Sequence, residues 1–425
     1  MLGAWIRRTG FWLVDALRGG MGKRIYQDIV GKESSNYADT DDLKRILNYA
    51  IDHVPFYKTI PRAELSEFPV MNKAIYKAQK ERCMSEEYSD YSTLHRVSTS
   101  GSTGEPMIVY QNREKRERVK IDLIHAHERI GWGLGQRYIF IRNWVSNYQS
   151  GRLKRFAQNM VPVGIAQFDV AAKQRLFRYL VAHPQTVLFG YSSSICDFMN
   201  WARRSGLDGN VCRLRVIVCD SDALEQKDKR LLNEFFSCPV IDRYDNEENG
   251  LIAITSIGSD QYAVNYTALH IELLRLDKDE TVAPGEIGRV VITDLHNRAM
   301  PLIRYETGDL AVSLDEPGRI RTLERLCGRQ AVHLTTPNGV QLSAVAISGV
   351  MEVFYGVERY QVVQHSASNF ELKYVGELTV EEEKILRGRL TDAFGSEAVI
   401  RITRVDSIPL EKNGKLKTMV NLCQR

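Results

Sequence analysis

The sequence predicts an α/β protein with a large, multi-subdomain N-terminal domain and a small α+β C-terminal domain joined by a hinge. Three observations predict it. Short apolar runs of β type alternate with helical stretches between about residues 138 and 236, the order that a mostly parallel sheet requires. Beyond residue 329 the pattern changes to two alternating runs, a capped helix and one further strand. A chain of 425 residues also exceeds what one core usually holds. Gly328, in Leu326-Cys327-Gly328-Arg329-Gln330, offers a backbone swivel between the two patterns. The expected division is therefore residues 1–328 and 329–425.

The first element is read in MLGAWIRRTGFWLVDALRGG. Its apolar run Phe11-Trp12-Leu13-Val14 stops at Asp15, far short of the ~20 residues a membrane span needs. It is not a secretory h-region either. Trp5, Ile6, Trp12, Leu13 and Leu17 are apolar, while Arg7, Arg8, Arg18, Lys23 and Arg24 are basic, so an amphipathic helix is expected. It either packs on its own domain or meets a membrane surface or a partner. Buried strands are read at Tyr138–Ile141, Thr186–Phe189, Val216–Cys219 and Arg289–Thr293, and helices at about 171–183, 193–204 and 222–236. ERYQVVQH and NFELKYVGEL form a hairpin. Thr379 and Glu382 form a T-x-x-E capping box before a helix whose apolar face is Ile385, Leu386, Leu390 and Phe394. Val399–Ile402 is the last strand expected.

Composition bounds the function. The chain is 44% hydrophobic and 26% charged, ordinary for a globular protein. A net charge of +4 gives no reason to expect nucleic acid. The 7 cysteines are scattered, odd in number and without a C-x-x-C pair, the usage of reduced thiols in a cytoplasmic protein.

Four stretches carry chemistry. STSGSTGEP spans Ser98 to Pro106. Such a stretch is either a plain surface loop or a cradle for phosphate. Its glycines admit close backbone approach, and successive N–H groups can form an anion nest. LHRV and MIVY on either side read as strands, which makes the stretch a hairpin tip. It is not a Walker A loop, since no G-K-[ST] follows. YDNEENG, Tyr244 to Gly250, offers carboxylates after a strand, either as a solvated turn or as magnesium ligands. MPLIRYETGDL, Met300 to Leu310, places Asp309 in a tight Thr-Gly-Asp turn, where a charged acceptor could take two ribose hydroxyls. PLEKNGKLK, Pro409 to Lys417, presents Lys415 after an Asn-Gly turn, at a surface or in a cleft.

In order and separation these stretches resemble the adenylate-forming superfamily of acyl-CoA synthetases and adenylation domains. Within it the likeness is to the phenylacetate–coenzyme A ligase-like branch, which includes capsular polysaccharide biosynthesis members. STSGSTGEP is similar to the family's phosphate loop, LIRYETGDL to its R-Y-x-T-G-D-L signature, and GEIGRVVIT to the strand before it. ERLCGRQ resembles its hinge and PLEKNGKLK its P-x-x-x-x-G-K ending. The resemblance implies that Thr99, Ser100, Gly101, Ser102, Thr103 and Gly104 hold the β- and γ-phosphates of ATP. Asp309 and Arg329 would bind the ribose, and Tyr244 would stack near the adenine. Glu248 would be the Mg2+ carboxylate, in preference to Glu247. Lys415 would bridge the substrate carboxylate and the α-phosphate, from a small C-terminal domain that moves.

Three positions depart from that pattern. Asp245 stands where the family has Gly, Ala331 where the hinge carries an acid, and Cys219–Ala223 where a G-G-E-like segment lies. They bear on the acyl pocket and on the second half-reaction. The expected pocket includes Trp144, Tyr148, Tyr191 and Asp220. The implied function is ATP-dependent activation of a carboxylic acid as acyl-adenylate, with release of pyrophosphate and transfer to a thiol such as coenzyme A. The alternatives are amide formation on an amino sugar, loading of a carrier protein, and a non-catalytic nucleotide-binding relative.

Overall fold

A computed structural model describes residues 2–35, 37–98, 106–144, 157–330, 333–410 and 416–423. The chain divides into two compact units, residues 1–136 with 243–326 and residues 137–242 with 327–425. One of the crossings, between Leu326 and Cys327, falls in the stretch read as a hinge.

Residues 1–136 begin with α1 (Leu2–Leu17), α2 (Met21–Ser34) and α3 (Thr40–His53). Gly19 and Gly20, at φ +97° and +66°, break the first helix from the second. Asp15 then accepts the backbone N–H groups of Gly22 (2.8 Å) and Lys23 (2.9 Å), placing an acid at the positive end of α2. After α4 (Lys73–Ala78), β1 (His95–Ser98) and β2 (Ile108–Gln111) pair antiparallel, with Ser98 opposite Ile108. They flank the phosphate-loop candidate as expected; Thr99 to Gly104 lie outside the described residues. α5 (Arg113–Arg129) packs Ile121 and Ile124 against Ile25 and Ile29 of α2. Phe11 and Trp12 of α1 are half-buried on this cluster.

Residues 137–242 hold the predicted parallel sheet: β3 (Tyr138–Arg142), β4 (Met160–Gly164), α6 (Val170–Ala182), β5 (Val187–Tyr191), α7 (Ser192–Arg204), β6 (Val216–Asp220) and α8 (Gln226–Phe236). The strands run β4-β3-β5-β6, all parallel. β5 and β6 are buried along their whole length, which explains their unbroken apolar runs. β4 escaped the sequence reading because it contains Pro162. It is the edge strand, where a missing N–H is tolerated.

β7 (Val240–Asn246) carries the chain back to the first unit. There β7, β8 (Gly250–Thr255) and β9 (Tyr262–Val264) pair antiparallel. β10 (Leu269–Leu274), β11 (Ile287–Asp294) and β12 (Tyr305–Val312) form a second antiparallel set, and β13 (Thr322–Leu323) joins β9. Within residues 137–326 the mostly parallel sheet expected is thus confined to 137–242. Between 243 and 326 no helix stands among the described residues, and parallel pairing needs such a crossover.

The last stretch contains β14 (Arg325–Arg329), β15 (His333–Thr335), β16 (Gln341–Ser343), α9 (Ala344–Met351), β17 (Val357–Gln364), β18 (Asn369–Gly376), α10 (Val380–Phe394), β19 (Val399–Arg404) and β20 (Met419–Asn421). β17 and β18 form the expected hairpin, in a sheet ordered β19-β18-β17-β20. The capping box at Thr379 and Glu382 is present. Leu386, Leu390 and Phe394 are buried in a separate core with Phe370 and Phe354. Ile385 is 45% exposed and does not join them, because it lies off the side of α10 that faces the sheet.

Within this second unit α8 meets β17. Lys227, 1% exposed, donates to the Val357 carbonyl (2.9 Å), and the Tyr360 hydroxyl donates to Glu225 (2.5 Å). Burial pushes the neighbouring Asp228 carboxyl up to about 7; Glu225 adds to the effect and Lys227 opposes it. A raised carboxyl contributes stability that is full below its ordinary value near 4 and is lost as pH rises through about 7. Asp228→Asn should therefore raise the unfolding free energy at pH 8, and by almost nothing near pH 4. Three pH units correspond to about 4 kcal/mol, and partial solvent access reduces this to about 2 kcal/mol. Urea titrations at the two pH values check it. Equal effects at both would refute the assignment.

Candidate active site

The Thr-Gly-Asp stretch is not a free turn. β12 runs antiparallel to β11 with Arg289 opposite Leu310 and Val291 opposite Glu306, so Thr307, Gly308 and Asp309 all face Val290. They form a bulge, which Gly308 permits by adopting φ +80°. The Thr307 hydroxyl donates to the Val290 carbonyl (3.2 Å) and accepts the Asp309 N–H (3.1 Å). A bulge re-aims the side chain that follows it, here the Asp309 carboxylate. Just upstream, Arg304 sits at φ +45°. Two 3.0 Å bonds to Glu272 and a third to the Phe68 carbonyl hold its side chain there.

The β7–β8 hairpin brings the second stretch to the same strand. The Tyr244 hydroxyl donates to the Asp309 carboxylate at 2.8 Å. Four residues on, Glu248 is 3% exposed and accepts the Tyr305 hydroxyl at 2.7 Å. β12 therefore grips both ends of Tyr244-Asp245-Asn246-Glu247-Glu248 through residues of a single signature. Lys73 adds a cation 3.4 Å from Glu248. Glu247 is exposed. Asp245 pairs with Arg243 at 3.0 Å, which offsets the charge it adds where the family has Gly. Arg243 also lies 3.2 Å from Nε2 of His127, and burial together with this arginine pushes the His127 imidazole well below its ordinary value.

Buried polar side chains fix the hairpin from below. Gln111 donates to the Glu248 carbonyl (3.1 Å). Lys115, fully buried, donates to the Asn249 carbonyl (2.8 Å) and pairs with Asp294 (2.6 Å). Asp294 in turn accepts the N–H groups of His296 (2.9 Å) and Asn297 (3.1 Å). Glu248 could serve a magnesium ion as a single protein carboxylate. Its oxygen is oriented by the Tyr305 donor, and a magnesium ion held there would draw on phosphate and water for its remaining ligands.

In the second unit the described acid-pocket candidates, Trp144, Tyr191 and Asp220, lie at the carboxyl ends of the parallel strands, where α/β sheets bind ligands. Tyr191 ends β5 opposite Asp220, which ends β6. Asp220 is 1% exposed, and burial raises the Tyr191 phenol. Trp144 follows β3 and donates to the Val163 carbonyl (3.0 Å), with Phe140 edge-on at 5.8 Å. Arg329 closes β14 and is exposed. Tyr148, Ala331 and Lys415 lie outside the described residues.

Known proteins share this architecture. A 2-hydroxyisobutyryl-CoA ligase, in the postadenylation state with R3-HIB-AMP, superposes with a TM-score of 0.70 at 18% identity, over 90% of this chain and 89% of that one. The anthranilate CoA ligase AuaEII with anthranoyl-AMP gives 0.56 at 16%, over 76% and 64%. MatB from Rhodopseudomonas palustris gives 0.52 at 17%, over 76% and 66%. The fold is that of the adenylate-forming ligases. Residues 334–422 match the CapK C-terminal domain family, so the resemblance to this superfamily and its capsule-related members holds. No curated protein matches the chain by sequence.

Against the adenylate-forming pattern, sequence reasoning missed Tyr305, Lys73, Gln111 and Lys115. Tyr305 had a signal, since it lies within the signature itself. The other three stand in stretches that read as ordinary surface, and only the tertiary fold brings them to Glu248.

Proposed function

We propose that this protein activates a carboxylic acid with ATP. A carboxylate oxygen attacks the α-phosphorus, the bond to the bridging β-oxygen breaks, and pyrophosphate leaves. A thiol such as coenzyme A then attacks the acyl carbonyl and AMP departs. The observation that carries this reading is the grip of β12 on Tyr244 and Glu248, through Asp309 and Tyr305. It ties the proposed ribose acceptor and the proposed phosphate-side carboxylate to one strand, the kind of positioning that phosphoryl attack requires.

In this reading Thr99 to Gly104 hold the phosphates, Asp309 and Arg329 the ribose, and Tyr244 the adenine side. A magnesium ion bound through Glu248 would neutralise phosphate charge. Lys415 would bring the two anions together from a small domain, residues 329–425, that turns at Gly328 (φ +78°). Trp144, Tyr148, Tyr191 and Asp220 would line the acid pocket. In this reading the reaction takes place in the cytoplasm, in keeping with the scattered, odd-numbered cysteines. The match at 334–422 favours a second acceptor, an amino sugar or carrier in capsule assembly. The pairing of Asp245 with Arg243 weakens the non-catalytic alternative.

ATP–pyrophosphate exchange with pooled aryl, fatty, amino and hydroxy acids tests the proposal. Exchange with one pool, lost in Lys415→Ala, is the expected result. Acceleration of AMP release by coenzyme A would separate thiol transfer from amide formation. Absence of any ATP binding would sink the assignment.

A further inference from the structure

We propose that α1 lies in the plane of an anionic lipid surface and tethers the protein to it. α1 reverses the usual amphipathic arrangement. Its half-buried side carries Ala4, Arg7 and Asp15 along with Phe11 and Trp12, while its outward side is apolar. Leu2, Trp5, Ile6, Leu13 and Leu17 are 73%, 63%, 55%, 60% and 79% exposed. At 3.6 residues per turn they share one face. Only Thr9 and Ala16 lie between them, so the stripe holds no charge over a helix of 16 residues, about 24 Å. The seat is close: a Cβ at Gly135 would come within 2.6 Å of the Ala4 carbonyl. The stripe is therefore presented by a fixed helix.

Cations border it. Arg8, 54% exposed and 3.6 Å from Glu128, stands to one side of the stripe by helical position. Arg18, Lys23 and Arg24 are exposed where the helix ends. From α5, Arg113 donates to the Arg18 carbonyl (3.4 Å), and the Lys120 ammonium lies 5.3 Å from the Phe11 ring. The nearby acids are engaged: Asp15 with the α2 N–H groups, Glu117 with Lys120 (2.6 Å), and Glu128 with Tyr26 (2.8 Å). A second copy laid on this stripe would set cations against cations. An anionic membrane satisfies both the apolar face and its border. Among the described residues no helix is long and apolar enough to cross a membrane, which leaves the in-plane arrangement.

Flotation of the full chain with vesicles of phosphatidylcholine, with or without phosphatidylglycerol, tests this. Binding to the phosphatidylglycerol vesicles alone is expected, weakening as salt is raised. Trp5→Glu with Leu13→Glu should lower the partition about a hundredfold or more, with an unchanged unfolding midpoint, because both side chains are exposed. Arg18→Ser with Arg24→Ser, which leaves the apolar stripe intact, should reduce the preference for the anionic lipid. The proposal is overturned if the wild type stays with the unbound fraction, or if the glutamate variant floats equally well. A concentration-dependent dimer lost in that variant would assign the face to a second copy instead.

Discussion

Asp309→Ala is expected to weaken ATP binding by a hundredfold or more and to abolish pyrophosphate exchange. Two charge-assisted hydrogen bonds to a ribose diol are worth about 1.5–3 kcal/mol each, and the alanine removes both. The loss should appear in calorimetric titration with ATP, which does not depend on knowing the acid. Stability should change little, since the carboxylate is only half-buried and accepts a neutral donor, the Tyr244 hydroxyl. Tyr244→Phe separates positioning from contact. It keeps the ring and removes the 2.8 Å donor that helps to orient the carboxylate. About a tenfold rise in the KM for ATP with kcat nearly unchanged is the result expected of lost positioning in the bound ground state. Unchanged ATP affinity in Asp309→Ala would remove the nucleotide from this strand. The proposed reaction would then lose its structural basis.

Much of the fold was legible because of where its strands lie. β5 and β6 are covered on both faces, and burial on both faces writes an apolar run into the sequence. β12 was read as a turn because Thr-Gly-Asp has the same local chemistry in a turn and in a bulge. The difference lies in the partner strand, in Val290 standing alone opposite three residues. Periodicity likewise declared α1 amphipathic without saying which face it would bury. The pairing of Asp245 did leave a trace, because residues i and i+2 share a strand face and Arg243 stands two before it. Lys115 left none. It sits in REKRERVK, where its neighbours Glu114 and Arg116 are exposed and it alone of the three is enclosed.

Lys115→Met should cost about 3–5 kcal/mol of stability, the usual penalty for leaving a buried ion without its partner. Asp294 and Lys115 are both 0% exposed, and methionine fills the stem of lysine without its charge. The Asp294 carboxylate would keep the N–H groups of His296 and Asn297 but lose the cation 2.6 Å away. Lys115→Met combined with Asp294→Asn should recover a large part of the loss, because the amide oxygen still accepts those N–H groups and carries no charge. Urea unfolding of the four proteins closes the cycle and gives the coupling directly. Function adds a second axis. Lys115 also holds the Asn249 carbonyl, one residue from Glu248, so the double variant regains a neutral core without regaining that bond. If stability returns while affinity for magnesium-bound ATP stays low, the ion pair exists to set the Glu248 turn. If both return together, its role ends at folding, and the turn is held by the remaining contacts of Gln111, Tyr305 and Lys73.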